Sequence, residues 1–197
     1  MADPALRNAT TSEERRPDDL ALRLLVLRCQ AGDETAFAKL MRLFETRTLG
    51  YLHGLVGDDA EDVQQEVWLS VYRHVGVLAD PGAFRTWLFR TTRHRAIDFL
   101  RKRKRERELI DDVPLEELPD PGDSDETDVT RLIDEEALSA ALMAMPPPQR
   151  EVMLLRYRDG LSYQEIAQVV ARPIGTVRTR LHHAKRRLQE SLTRRET

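Results

Sequence analysis

The chain has 197 residues, enough for one domain or two small ones, of which 41% are hydrophobic and 33% charged. An aromatic content of 6%, with abundant Leu, Ala and Arg, favours helices over sheets. The net charge of −3 selects no partner, and a single cysteine, Cys29, excludes an intrachain disulfide and points to a reducing compartment.

Residues 1–18 are polar, aperiodic and without an apolar signal core, so a disordered tail is expected. No stretch approaches the roughly 18 apolar residues of a membrane span, which predicts a soluble, cytoplasmic chain. From 19 to about 107 the pattern predicts successive helices. Leu24, Leu27, Phe37, Leu40, Met41 and Phe44 recur at helical spacing. Cys29 lies in this apolar stretch and is expected to be buried. Asp33 is placed to cap the helix that carries Phe37. Gly50, Gly54 and Gly57 are expected to punctuate the next stretch. Asp58 and Asp59 are then read as capping a helix whose inner stripe is Val63, Val67 and Val71, with Asp62, Gln65 and Glu66 off it. Asp80-Pro81-Gly82 reads as a turn into a helix from about Phe84 to Arg107. In that helix Phe84, Trp87, Ile97, Phe99 and Leu100 are core candidates.

Basic residues crowd at 85–107 and 172–195, and acidic ones at 111–136. The stretch 108–130 is acidic and rich in proline, a composition that buries too little to fold alone, so it reads as a flexible linker. A second domain, 131–197, has helical pieces at 131–145, 148–158, 162–170 and 174–192. The fold class expected is all-α: two small helical domains joined by the linker.

The sharpest local pattern is the segment Leu161 to Leu181. Ser162 and Glu165 form a capping box, and Ile166, Ala167 and Val170 give the first helix an inner face. Pro173 suits the first turn of a second helix, whose Ile174, Val177 and Leu181 point inward. Its outward face carries Arg178, Thr179, Arg180, His182, His183, Lys185 and Arg186. Two helices joined by a tight turn, the second one basic and exposed, make a helix-turn-helix reader of the DNA major groove. Ala171 and Arg172 occupy the turn, where glycine and an apolar residue are more usual.

Three ordered segments carry a wider resemblance: DDAEDVQQEVWLSVYRH (58–74), AFRTWLFRTTRHRAIDFLRKRKR (83–105) and MPPPQREVMLLRYRDGLSYQEIAQVVARPIGTVRTRLHHAKRRL (145–188). Together they resemble the sigma-70 family, in its two-domain extracytoplasmic-function (ECF) type. The resemblance implies a non-enzymatic factor that binds core RNA polymerase. It would read the proximal (minus-ten) and distal (minus-thirty-five) promoter boxes and assist strand opening. The 58–74 helix would dock on the clamp helices of the largest polymerase subunit through Asp62, Gln65 and Glu66. The 83–105 segment would read and open the proximal box, with Arg85, Trp87, Arg90, Arg93, His94, Arg101, Lys102 and Arg103 as candidates. His94 stands where the family often has Asn. The outward face of the last helix would read the distal box, and its domain would also dock on the flap of the second-largest subunit. The acidic linker would thread toward the RNA exit path. An anti-sigma factor or other regulator is a further expected partner.

The chemistry agrees with these roles. Arginines neutralise phosphates and pair with guanine edges, and an unstacked base needs a polar pocket and a stacking surface. Two other readings remain open at this point. A conventional helix-turn-helix repressor would account for 145–192 but leave 58–105 without a purpose. The run from Arg101 to Arg105 is either a DNA-backbone contact or a solvated helix end. An enzyme finds no support: there is no glycine-rich phosphate loop, and the five histidines and one cysteine lack metal-ligand spacing. No cofactor is expected.

Overall fold

The computed structural model describes residues 17–108 and 135–193. The predicted tail, except for its last two residues, and the predicted linker beyond Glu108 lie outside the described residues. Those that are described form helices joined by short turns, with no strand among them.

Helix α1, Pro17–Gln30, begins inside the expected tail, with proline at its first position, where the missing N–H costs nothing. It buries Leu22, Val26 and Cys29. Leu24 and Leu27, expected on the inner face, are exposed, because α1 packs through the stripe one residue away. Gly32, at φ +84°, turns the chain, and Asp33 caps α2 by accepting from the Ala36 N–H at 3.0 Å. Arg28 closes on the same carboxylate at 2.5 Å.

Helix α2, Glu34–Val56, runs through Gly50 and Gly54 without a break, and only Gly57, at φ +68°, ends it. The two interior glycines answer to packing. A Cβ on Gly50 would collide with the Arg158 guanidinium, and one on Gly54 would lie 2.6 Å from Leu154. Each glycine costs about 0.5–1 kcal/mol of helix stability, and that cost admits the second domain.

A 3-10 turn at Gly57–Asp59 leads into α3, Ala60–His74. Asp58 and Asp59 make no side-chain cap on α3; Asp59 pairs instead with Arg103 of α4. Val63, Val67 and Val71 are buried as read from the spacing, together with Trp68 and Gln64. The Gln64 amide donates to Glu45 O at 2.7 Å and to the Thr48 hydroxyl at 2.9 Å, fixing α3 to α2. After the turns of residues 75–83 comes α4, Phe84–Glu108. Phe84 is fully buried and Trp87 half-buried against the same core, whereas Leu100, expected in the core, is 42% exposed near the charged end of the helix.

The second domain comprises α5, Glu135–Met143; α6, Pro147–Met153, which continues as a π-helical turn at Leu154–Arg158; α7, Tyr163–Val170; and α8, Ile174–Thr193. Its core of Val152, Leu155, Leu161, Ile166, Val177 and Leu181 also takes in Tyr51 and Phe89 from the first domain, whose rings meet edge to face at 5.5 Å. Glu151, 5% exposed, accepts from the Tyr51 hydroxyl at 2.8 Å and from Arg93 Nε at 2.7 Å. Burial first, and then the Glu151 carboxylate, push the Tyr51 hydroxyl well above its ordinary pKa, so it stays a donor. Arg158 donates to Thr46 O at 2.7 Å and Arg150 to Gly54 O at 3.1 Å. The two domains therefore sit face to face, with α7 packed on α4.

Candidate nucleic-acid interface

Three surfaces follow from this frame. The first is a cavity of about 570 Å³ between α3, the 75–83 turns and α4. Its volume falls in the range of roughly 300–1,000 Å³ typical of ligand pockets. Val77, Leu78 and Ala79 form one wall, and Trp87, Arg90, Thr91 and His94 the other. Trp87, Arg90 or Thr91, and His94 share a wall because α4 returns to the same face every three to four residues. Ser70 and His74 complete the lining from α3. Arg95 reaches the Ser70 hydroxyl at 3.2 Å, and His74 Nδ1 pairs with Ser70 O at 2.7 Å. The Trp87 ring, the Arg90 and Arg95 guanidiniums, two imidazoles, the Ser70 and Thr91 hydroxyls and the Asp98 carboxylate around one opening suit a planar, polar ligand.

The second surface is the exposed face of α3. Asp62, Gln65 and Glu66 are all solvent-exposed there, and Leu69 and Tyr72 extend their row, at 56% and 58% exposure. Tyr72 is propped edge to face against Phe37 at 5.1 Å. One helical row thus builds an exposed face with an acidic end and an apolar end.

The third surface is α8 with its approach. The capping box forms as read: Ser162 N–H donates to Glu165 at 2.7 Å and Glu165 N–H to the Ser162 hydroxyl at 3.2 Å. The turn closes with Ala171 in the left-handed region, φ 52°, where its N–H and that of Arg172 both reach Ala167 O. A non-glycine residue there costs about 1–2 kcal/mol. Arg178 and Arg186 are exposed, and Arg180 and His182 are half-exposed. Thr179 donates its hydroxyl back to Gly175 O at 3.1 Å, and Lys185 lies over the Tyr157 ring at 5.7 Å. His183 corrects the expected outward row: it is 8% exposed, because α5 and α6 both pack on α8 and cover a wider arc than the stripe Val177-Leu181-Ala184. Ile174, expected to point inward, is 36% exposed at the start of the helix.

Comparison with known proteins bears on what these surfaces serve. Residues 40–106 match the family model "Sigma-70 region 2", and residues 135–188 match "Sigma-70, region 4". The RNA polymerase sigma-H factor of Pseudomonas aeruginosa is 34% identical over 178 residues, which cover 85% of this chain and 92% of that one. The chain belongs to the sigma-70 family. The ECF RNA polymerase sigma-E factor of Escherichia coli K12 is 30% identical over 176 residues, covering 85% and 92% of the two chains, and places it in the ECF type. The sigma factor RpoE of Bartonella quintana, solved in complex with the anti-sigma factor NepR, superposes with a TM-score of 0.64 at 26% identity, over 80% of this chain and 96% of that one. The protein is thus a promoter-recognising RNA polymerase sigma factor, a non-enzymatic initiation factor.

In this sigma factor the residues predicted for the proximal box divide into three groups. Trp87, Arg90 and His94 meet at the cavity. Arg101, Lys102 and Arg103 lie farther along α4, the last paired with Asp59. Arg85 and Arg93 turn away: the Arg85 side chain is 16% exposed with Asp19 at 3.9 Å, and Arg93 is held by Glu151. Sequence reasoning missed Ser70, His74, Leu69 and Tyr72. The last two were legible in the i, i+3 row that continues Gln65 and Glu66. Among the described residues no cluster could hold a metal ion, and no helix is long and apolar enough to cross a membrane.

Proposed function

We propose that the sigma factor divides its work among these surfaces. Residues 19–107 serve as the region 2 module, 131–197 as the region 4 module, and 108–130 as an acidic connector. The α3 row of Asp62, Gln65 and Glu66, extended by Leu69 and Tyr72, docks on the clamp helices of the largest polymerase subunit, and the second module docks on the flap of the second-largest. The cavity at Trp87, Arg90 and His94 captures a base of the proximal box after it leaves the stack. Arg101 and Lys102, with Arg103, neutralise phosphates beyond it. Arg178, with Arg180, His182 and Arg186 around it, reads the distal box in the major groove, and Lys185 and Thr179 support the backbone approach. The protein works in the bacterial cytoplasm and is held in check by an anti-sigma factor or another regulator.

The observation that carries this reading is that the aromatic and cationic cavity of α4 and the cationic face of α8 are separate surfaces in one chain. Two weak readers on one polymerase multiply their affinities through effective concentration. The test is run-off transcription with core polymerase on a randomised promoter library. Wild type should enrich two boxes at fixed spacing. His94→Ala should alter preference in the proximal box alone, and Arg178→Ala in the distal box alone. Identical enrichment for all three proteins overturns the assignment.

A further inference from the structure

The cavity has one rigid wall, α4, and one wall made of turns. The far end of the turn wall, Pro81–Ala83, is held within the segment 75–83, where the Asp80 carboxylate accepts the Gly82 N–H at 2.8 Å, while the stretch that follows Gly76 is gripped from outside. The holding group is Gln30, the last residue of α1. Its side-chain Nε2 donates to Val75 O at 3.1 Å and to Leu78 O at 2.8 Å, so both amide hydrogens are engaged. Val75 O also receives the Leu78 N–H at 3.2 Å, which makes the tightened turn and the clamp a single unit. Seven residues earlier on α1, the Arg23 guanidinium lies against Gly82, near the far end of the segment. Leu78, whose carbonyl is gripped from α1, is itself one of the residues lining the cavity.

We propose that Gln30 is a positioning residue for promoter reading: it fixes the turn wall of the cavity, and thereby decides which unstacked base the proximal-box pocket accepts. Gln30 itself touches no DNA. The inference rests on the reading of the cavity as a base pocket. A pocket discriminates through groups held within a fraction of an ångström, and removing both clamp bonds lets Val77, Leu78 and Ala79 drift relative to Trp87 and His94.

Gln30→Leu keeps the bulk and removes both donors. Gln30→Glu keeps the shape and turns a carboxylate toward two carbonyl oxygens. The full-length variants would be assayed with core polymerase on promoters that carry each of the four bases at every proximal-box position. A 2-aminopurine probe at the most selective position reports unstacking. Both variants should lose about fivefold to tenfold of the discrimination at one position, on the scale of one to two hydrogen bonds. Polymerase affinity and distal-box preference should stay at wild-type values, while the thermal midpoint falls modestly in both variants. If His94→Ala flattens proximal-box preference while both Gln30 variants keep it, the positioning role is wrong and the pocket stands. If neither His94→Ala nor the Gln30 variants change it, the pocket reading falls and the inference with it. A parallel loss of polymerase affinity and distal-box preference would mark Gln30 as a general stabiliser and overturn its positioning role.

Discussion

Asp159 gives the sharpest quantitative test of how the two domains meet. It follows the π-helical turn, is 2% exposed, and neither carboxylate oxygen has a hydrogen-bond partner among the described residues. Burial raises its pKa from 3.8 to about 7, against the opposing pull of Arg158, Arg47 and Arg85. Two of those arginines belong to the first domain, so the environment of Asp159 depends on the closed arrangement. The folded state therefore holds the Asp159 proton between about pH 4 and pH 7, while the unfolded chain releases it. Stability from this residue is fully present below the unfolded pKa and is lost as pH rises through about 7. At 1.36 kcal/mol per pH unit, the interval from 3.8 to about 7 corresponds to an upper limit on the order of 4 kcal/mol. Asp159→Asn is permanently neutral at nearly the same shape. Urea unfolding of both proteins from pH 5 to pH 8.5 should show the variant gaining on the parent by up to roughly 2.7 kcal/mol between pH 5 and pH 7, with a constant gap above pH 7. The difference between the two proteins cancels other carboxylates, such as Asp33, which its hydrogen bonds with Thr35, Ala36 and Arg28 hold far below the ordinary range. Parallel curves across the whole interval would refute the argument.

Three further outcomes follow from the geometry. Arg178→Ala should weaken recognition of the distal box by about 1–3 kcal/mol in a competition binding assay with holoenzyme, the cost of a lost bidentate base contact. Replacing Arg101 to Arg105 with alanines should lower promoter affinity and flatten its dependence on salt by roughly 0.9 per phosphate contact removed, whereas an unchanged slope would mark the run as a solvated helix end. Ala171→Gly should raise the thermal midpoint, with about 0.5–1 kcal/mol gained from relief of the left-handed backbone at φ 52°.

What the sequence makes legible is what local spacing controls. The Ser162–Glu165 box, the Asp33 cap and the Val63-Val67-Val71 stripe each depend on residues within two turns of one another, and all three form. What escapes depends on contacts between distant segments. Gly50 and Gly54 look like helix breaks until Arg158 and Leu154, more than ninety positions away, are seen pressing on them. Asp59 looks like a cap until Arg103 is seen to claim it. His183 lies off the periodic stripe of α8 and reads as outward, yet α5 adds a second covered side that no single-helix pattern contains. At the site, the α4 wall with Trp87, Arg90 and His94 was readable from one helix. The opposite wall was not, because turns show no periodicity and their clamp, Gln30, lies on α1.

Arg93 tests whether the closed arrangement is a resting state or an accident of neighbouring charges. On α4 it lies beside Phe89, on the flank that faces the second domain, while Trp87, Arg90 and His94 keep the cavity on the other flank. Glu151 is 5% exposed, and the Tyr51 hydroxyl is a neutral donor, so Arg93 supplies the charge that balances the buried carboxylate. Removing one partner of such a pair costs about 3–5 kcal/mol; the Arg93 side chain is 22% exposed, which draws the expected cost toward the lower end. Arg93→Ala should therefore loosen the domains, read as a longer distance between fluorophores on α3 and α8, and leave the salt dependence of promoter binding unchanged. A DNA contact would give the opposite pair of results: a constant distance and a slope reduced by about 0.9. The same flank carries a second contact, Thr86 with Glu165 at 3.3 Å, and there α7 of the helix-turn-helix lies against α4.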